Sequence, residues 1–223
     1  MSSSLSVSIT SSSDVSSSLN SCQTDSKSSN ILLQDPVSIV FNLLERKGRE
    51  DYIGEDISQI DHMIQSGMLA RSMYNSLTFP HYNEFITANL LHDIGNLLDI
   101  PSMKFENENI GALNHEIEGS NYLRKLGFSE LVCELVQNHV NAKRYLISRS
   151  KEYKLSAASE QTLTLQGGLM STEEIKEFET SPHKQMFLNM REIDELAKRT
   201  DIISDSLESF RSICETCINK QYK

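Results

Sequence analysis

Four of the chain's six histidines, His62, His92, His115 and His139, form one series with two aspartates: Asp93, immediately after His92, and the distant Asp194. Imidazoles and carboxylates taken into a fold must be paired or metal-bound, because burying them alone is costly. A chain that gathers these six must bring segments far apart in sequence to one point. Adjacent residues on a helix lie about 100° apart, so His92 and Asp93 point to different sides of a site and do not close one tetrahedral cage. A carboxylate can bridge two ions; if Asp93 does so, the other histidines and Asp194 divide between them. Nitrogen and oxygen donors of this kind suit iron or manganese better than a thiolate-seeking metal, which disfavours a structural zinc. A metalloenzyme is the first hypothesis.

The segments carrying these residues read as helices. Asp35-Pro36 is an N-cap followed by a first-turn proline, and Val37, Val40, Phe41 and Leu44 recur at helical spacing until Gly48. Asp56 with Gln59 three residues on resembles a capping box and predicts the start of a long helix through Ile57, Ile60, His62, Ile64, Met68 and Met73. A third helix is expected over 83–96, with Phe85, Ala88, Leu91 and Gly95 on one side and His92-Asp93 near its end. After a polar loop at 104–109, a fourth runs from His115 to a stop at Gly127, and Ser129 opens a fifth that carries His139. A short helix near 156–165 breaks at Gly167-Gly168, Ser171 and Glu174 form a capping box, and helices resume to the C-terminus. No alternating strand pattern is evident. The fold class expected is all-α: a bundle of seven or more helices with metal between facing helices.

Composition narrows the partners. A net charge of −10 argues against a general nucleic-acid or anionic-membrane surface, and no stretch approaches the roughly 18 apolar residues of a membrane span. Only four cysteines, Cys22, Cys133, Cys214 and Cys217, fit a reducing, cytoplasmic compartment. Residues 1–30 are serine-rich with few large apolar side chains and predict a disordered tail, leaving 31–223 as the folded domain. Cys214 and Cys217 have redox-motif spacing without its context and read as structural. His81 and His183, beside proline turns, read as surface residues, and Met63, Met68, Met73 and Met190 as core filler.

The stretch Leu90-Leu91-His92-Asp93-Ile94-Gly95, with His62 before it and Asp194 far after it, resembles the signature of the HD-domain superfamily. The likeness covers most of 52–198, with 199–223 as a helical extension. Its details resemble the branch of HD-domain di-iron oxygenases that cleave the carbon–phosphorus bond of 1-hydroxyphosphonates, relatives of myo-inositol oxygenase. That resemblance implies two iron ions as an Fe(II)/Fe(III) pair, O2 as cosubstrate and a small organophosphonate as substrate, with a carboxylic acid and phosphate as products. If the substrate is 2-amino-1-hydroxyethylphosphonate, the acid is glycine. His62, His92, Asp93 and Asp194 are implied around one iron, and Asp93, His115 and His139 around the other.

Tyr52 and Glu55, in Tyr52-Ile53-Gly54-Glu55, are similar to that branch's gate, in which the tyrosine occupies the metal site before substrate arrives and the glutamate receives the substrate ammonium. Lys143, Ser159, Gln166 and Arg191 match its phosphonate-contacting positions. The branch usually reads His-Asp-Ile-Gly-His, and its last histidine reaches the phosphonate. This chain has Asn96 there, shorter and uncharged but still a hydrogen-bond donor. Two other readings share the same ligands: a phosphohydrolase that activates water between two metals, and a regulatory HD module without turnover.

Overall fold

The first helix starts where its cap predicts. Asp35 accepts from the Ser38 amide at 2.9 Å, and Pro36 takes the first position of α1 (Pro36–Lys47). A computed structural model of the chain describes residues 35–52, 55–105, 108–150 and 152–220. The expected serine-rich tail, Ile53-Gly54 and Cys22 lie outside the described residues. All the elements below belong to one unit, Gln34–Lys223.

Helix α2 (Gln59–Met73) begins two residues later than the Asp56 reading requires. Its cap is Ser58, whose Oγ accepts from the Asp61 amide at 3.2 Å and donates to the Asp61 carboxylate. Asp56 is left exposed. Met63 is fully buried, but Met73, at the far end of α2, is 48% exposed and is no core residue.

Helix α3 (Tyr82–Leu91) is buried from Phe85 to Leu91 without a break, so it is enclosed on every side. It packs against α2, α5 (Glu130–Arg149), α8 (Lys184–Leu196) and α9 (Arg211–Thr216). Its expected continuation to Asn96 does not occur. His92 caps the helix, Asp93 leaves helical geometry at φ −99° and ψ 11°, and a 3₁₀ turn follows over Ile94–Leu97. The break admits α4 (His115–Lys125), whose first turn lies against the 3₁₀ turn so closely that a Cβ at Gly95 would stand 1.9 Å from the His115 carbonyl oxygen.

The polar stretch expected to be a loop is an antiparallel hairpin, β1 (Ser102–Phe105) and β2 (Glu108–Ala112), with a register irregularity between Ser102 and Lys104. Strands this short give too few alternations to stand out in sequence. Helices α6 (Ala157–Leu163) and α7 (Thr172–Thr180) follow α5, and Ser171 and Glu174 form the expected capping box. Among the described residues there are nine α-helices and one two-stranded sheet. No helix among the described residues is long and apolar enough to cross a membrane.

One apolar core ties the helices together, and Phe85, Phe128, Phe187 and Phe210 are its largest buried members. Each contributes about 1.5–3 kcal/mol by leaving water. Cys214 and Cys217 lie buried beside the Thr87 hydroxyl, and burial pushes the Cys214 thiol up to about 12, which suits packing and not redox exchange. His81 is exposed, but His183 is only half exposed and pairs with Glu134 at 3.0 Å.

Candidate metal centre

Five helices deliver the six residues of the series to one place. His62 comes from the middle of α2, His92 from the end of α3 and Asp93 from the break after it. His115 opens α4, while His139 and Asp194 lie on α5 and α8. All six are at most 5% exposed. Their donor atoms form two clusters, His62 with His92 and Asp194, and Asp93 with His115 and His139, each able to hold an ion.

Asp93 belongs to both by geometry. Its Oδ1 lies 3.2 Å from His115 Nε2 and 3.5 Å from His139 Nε2, while its Oδ2 lies 3.5 Å from His92 Nε2 and 3.7 Å from His62 Nε2. Asp194 turns Oδ1 toward His62 at 3.3 Å and His92 at 3.6 Å, and that oxygen accepts no hydrogen bond although it is buried. Its other oxygen accepts from Arg191.

The histidines are oriented by the backbone. His62 Nδ1 donates to the Ala197 carbonyl at 2.7 Å, His92 Nδ1 to Asn89 at 2.9 Å, and His139 Nδ1 to Val136 at 2.7 Å. A neutral imidazole that spends its proton on Nδ1 presents a bare lone pair at Nε2. Yet His62 and His92 bring their Nε2 atoms to 3.1 Å of each other, as do His115 and His139. Two ligands of one ion, each bonded at about 2.0–2.1 Å, sit at such a separation. The residues therefore fit a pair of ions, and the donor set is that of iron or manganese. His115 differs, since its buried Nδ1 accepts or donates no hydrogen bond and has Glu116 at 3.6 Å.

Charge tells the same story. Burial opposes ionisation of Asp93 and Asp194, but the surrounding imidazoles, with Arg191 for Asp194, hold both carboxyls well below the usual range. Burial disfavours a charged His92, but Asp93 and Asp194 outweigh it and lift it to about 9, while burial and neighbouring His115 press His139 down to about 3. Two buried carboxylates demand compensating positive charge, which bound cations supply in full.

Above the clusters lies a small cavity of ≈ 60 Å³. Of the residues expected to contact substrate, Tyr52, Asn96, Lys143, Ser159, Gln166 and Arg191 line it, and Glu55 does not. Tyr52 stacks its ring on His62 at 4.2 Å between centroids. Burial, then Asp93 and Asp194, push its phenol well above the usual value, so it remains a donor toward Asp93. Lys143, 4% exposed, donates to Gln166 Oε1 and to Thr162 Oγ1 at 3.0 Å. Burial and the Arg191 charge bring its ammonium down to about 7. Arg191 donates to Asp194, to Glu195 and, at 3.1 Å, to Ser159 Oγ. Asn96 accepts from the Ala112 amide at 3.0 Å, which ties it to the hairpin.

Sequence reasoning did not assign roles to several neighbours. Thr162 and Gln59 line the cavity, as do Met103 and Gly111 of the hairpin. Glu195 and Lys198 stand just behind it. Thr162 lies one helical turn after Ser159 and could have been found from that spacing; nothing in the sequence marks the hairpin residues.

This arrangement, a helical bundle whose interior gathers His, His-Asp and a distant Asp, defines the class: residues 60–204 match the HD domain, and the chain belongs to that family. It is an HD-domain oxygenase by its relatives. The chain is 32% identical over 186 residues, 82% of its length and 91% of the relative's, to a [1-hydroxy-2-(trimethylamino)ethyl]phosphonate dioxygenase (glycine-betaine-forming) of Leisingera caerulea. It is 33% identical over 184 residues, 82% and 88% of the two lengths, to a hydroxymethylphosphonate dioxygenase of Gimesia maris. It is also 38% identical over 179 residues, 79% of each chain, to the uncharacterized protein L432 of Acanthamoeba polyphaga mimivirus.

Proposed function

We propose that this protein oxidises a small 1-hydroxyphosphonate with O2, breaking the carbon–phosphorus bond to give a carboxylate and inorganic phosphate. The supporting observation is the meeting, at one cavity, of two ion-holding clusters with a buried lysine and a buried arginine. The reaction balances as R–CH(OH)–PO3²⁻ plus O2 giving R–COO⁻, HPO4²⁻ and H⁺. 2-Amino-1-hydroxyethylphosphonate, which would yield glycine, its N-methylated forms, which would yield the methylated glycines, and hydroxymethylphosphonate are the candidates within this class.

His62, His92 and Asp194 would hold one iron, His115 and His139 the other, with Asp93 shared. When bound as an Fe(II)/Fe(III) pair, the irons supply the redox chemistry with O2. The protein supplies position and charge. Lys143 and Arg191 bind the phosphonate oxygens, the guanidinium through its fork and the ammonium as a point charge, and their burial strengthens both contacts. Ser159, Gln166 and Asn96 add neutral hydrogen bonds. In this reading the Tyr52 phenol, stacked on His62, holds the place that the substrate hydroxyl takes and leaves when it arrives.

The test incubates iron-loaded protein with the three candidate phosphonates and follows oxygen uptake and phosphate together. The two are expected to rise in equal amounts with at least one compound. Phosphate released equally well without oxygen would replace this reading by metal-dependent hydrolysis.

A further inference from the structure

Behind the cavity the charges alternate in an unbroken chain: Asp194, Arg191, Glu195, Lys198, Glu55. Arg191 bonds both Asp194 and Glu195. Lys198 Nζ lies 3.5 Å from Glu195 Oε1 and pairs with Glu55 Oε1 by charge alone at 3.4 Å, since that oxygen accepts no hydrogen bond, and it donates to Ser156 Oγ at 2.8 Å. Its side chain is only 8% exposed, so this ammonium is committed to internal partners. Glu55, which carries the carboxylate of the same loop as Tyr52, faces Lys198 and is absent from the cavity lining. Gln59 does line it, and its buried Oε1 accepts no hydrogen bond. The charged group of the loop is thus turned away from the cavity, and a neutral amide is presented instead.

We propose that Lys198 is a specificity-determining residue: by holding Glu55, it turns the site toward 1-hydroxyphosphonates whose far end is uncharged and against those ending in an ammonium. This deepens the function proposed above and rests on it. A cationic end that claims Glu55 must displace Lys198, whose ammonium then stays beside the newcomer. The remaining counter-charge, Glu195, is already bonded to Arg191. Like charges a few ångströms apart repel strongly where water is scarce. An uncharged end meets neither cost, and a hydroxyl there can donate to Gln59.

The test measures binding by calorimetry without oxygen, titrating iron-loaded protein with hydroxymethylphosphonate and with 2-amino-1-hydroxyethylphosphonate. The unaltered protein is expected to bind hydroxymethylphosphonate the more tightly. Lys198→Met should shift the affinity ratio toward the amino compound by about tenfold, or ~1.4 kcal/mol. Lys198→Arg, which keeps the ion pair, should leave the ratio near its starting value, and Glu55→Gln should move it the other way. Tighter binding of the amino compound by the unaltered protein, or a ratio that Lys198→Met and Glu55→Gln both leave unmoved, overturns the proposal. The expected binding pattern without phosphate release under oxygen would support Lys198 as the selector while removing the oxygenase reading. Failure of both phosphonates to bind overturns both.

Discussion

The wall of the cavity that carries the imidazoles and the wall that carries Ser159 and Gln166 are held in place by different forces. His62, His92, His139 and Asp194 stand on α2, α3, α5 and α8, helices anchored by fully buried residues such as Met63, Leu90, Leu135 and Met190. Three of their imidazoles are further tied to main-chain carbonyls. Opposite them, α6 and the Gly167-Gly168 turn are attached mainly through polar bonds. Arg144 Nε donates to the Gly168 carbonyl at 3.0 Å, the Ser156 amide to Glu195 at 2.8 Å, and Lys143 to Thr162 and Gln166. Hydrophobic burial fixes the first wall when the chain folds. The second is fastened by the same cations, Lys143 and Arg191, that an incoming anion would claim, so ligand and wall compete for them.

Breaking the first wall should have the largest effect. Asp93→Ala removes a ligand from both clusters and is expected to leave fewer than two irons per chain and to lower phosphate release by at least ~10³-fold; full iron loading of this variant, read by elemental analysis, would refute the shared role of Asp93. Lys143→Ala attacks the second wall, and truncating one member of a buried charged network costs about 2–5 kcal/mol, or roughly 30-fold to several-thousandfold in kcat/KM. Iron content should stay normal, which separates the two walls. Because Lys143 loses its proton near pH 7, its cation is present below that pH, and kcat/KM should fall as pH rises through about 7. Lys143→Arg, always charged, should abolish that limb; a limb that persists unchanged in the arginine variant would assign the titration elsewhere.

The smallest effect is expected where the second wall meets α7. Glu174 completes the cap of α7 and also accepts from Arg144, the residue that holds the glycine turn. Ser171→Ala should cost about 1 kcal/mol, seen as a melting temperature lower by a few degrees, with iron loading untouched. A much larger loss would mean that this wall is not independently held.

Legibility in the sequence follows the same division. Histidines on otherwise apolar helix faces, such as His139 beside Val136 and Val140, are conspicuous because water normally claims them, and the family resemblance groups them from sequence alone. The end of α3 within the His92-Asp93 doublet is not legible: Leu90 to Leu97 contains no strong helix breaker except Gly95, and the close packing of the His115 carbonyl against Gly95 is a contact between distant segments. The hairpin left too short a pattern. Glu195 and Lys198 look like the charged end of a surface helix, since their i, i+3 spacing is common on solvated faces. Only the placement of the 55–59 loop gives them a task. Met73 misled for the opposite reason, an apolar residue at the right period whose helix has already run past the core.

The interruption after His92 carries a lesson for anyone grafting a binuclear centre onto a synthetic bundle. An unbroken rod would aim successive side chains around its own circumference, and a designer would have to recruit them from separate rods. A rod that snaps between two consecutive donors lets one short stretch of polymer serve both halves of the centre, so the fracture, with the glycine that lets a neighbour fill it, is the part to copy.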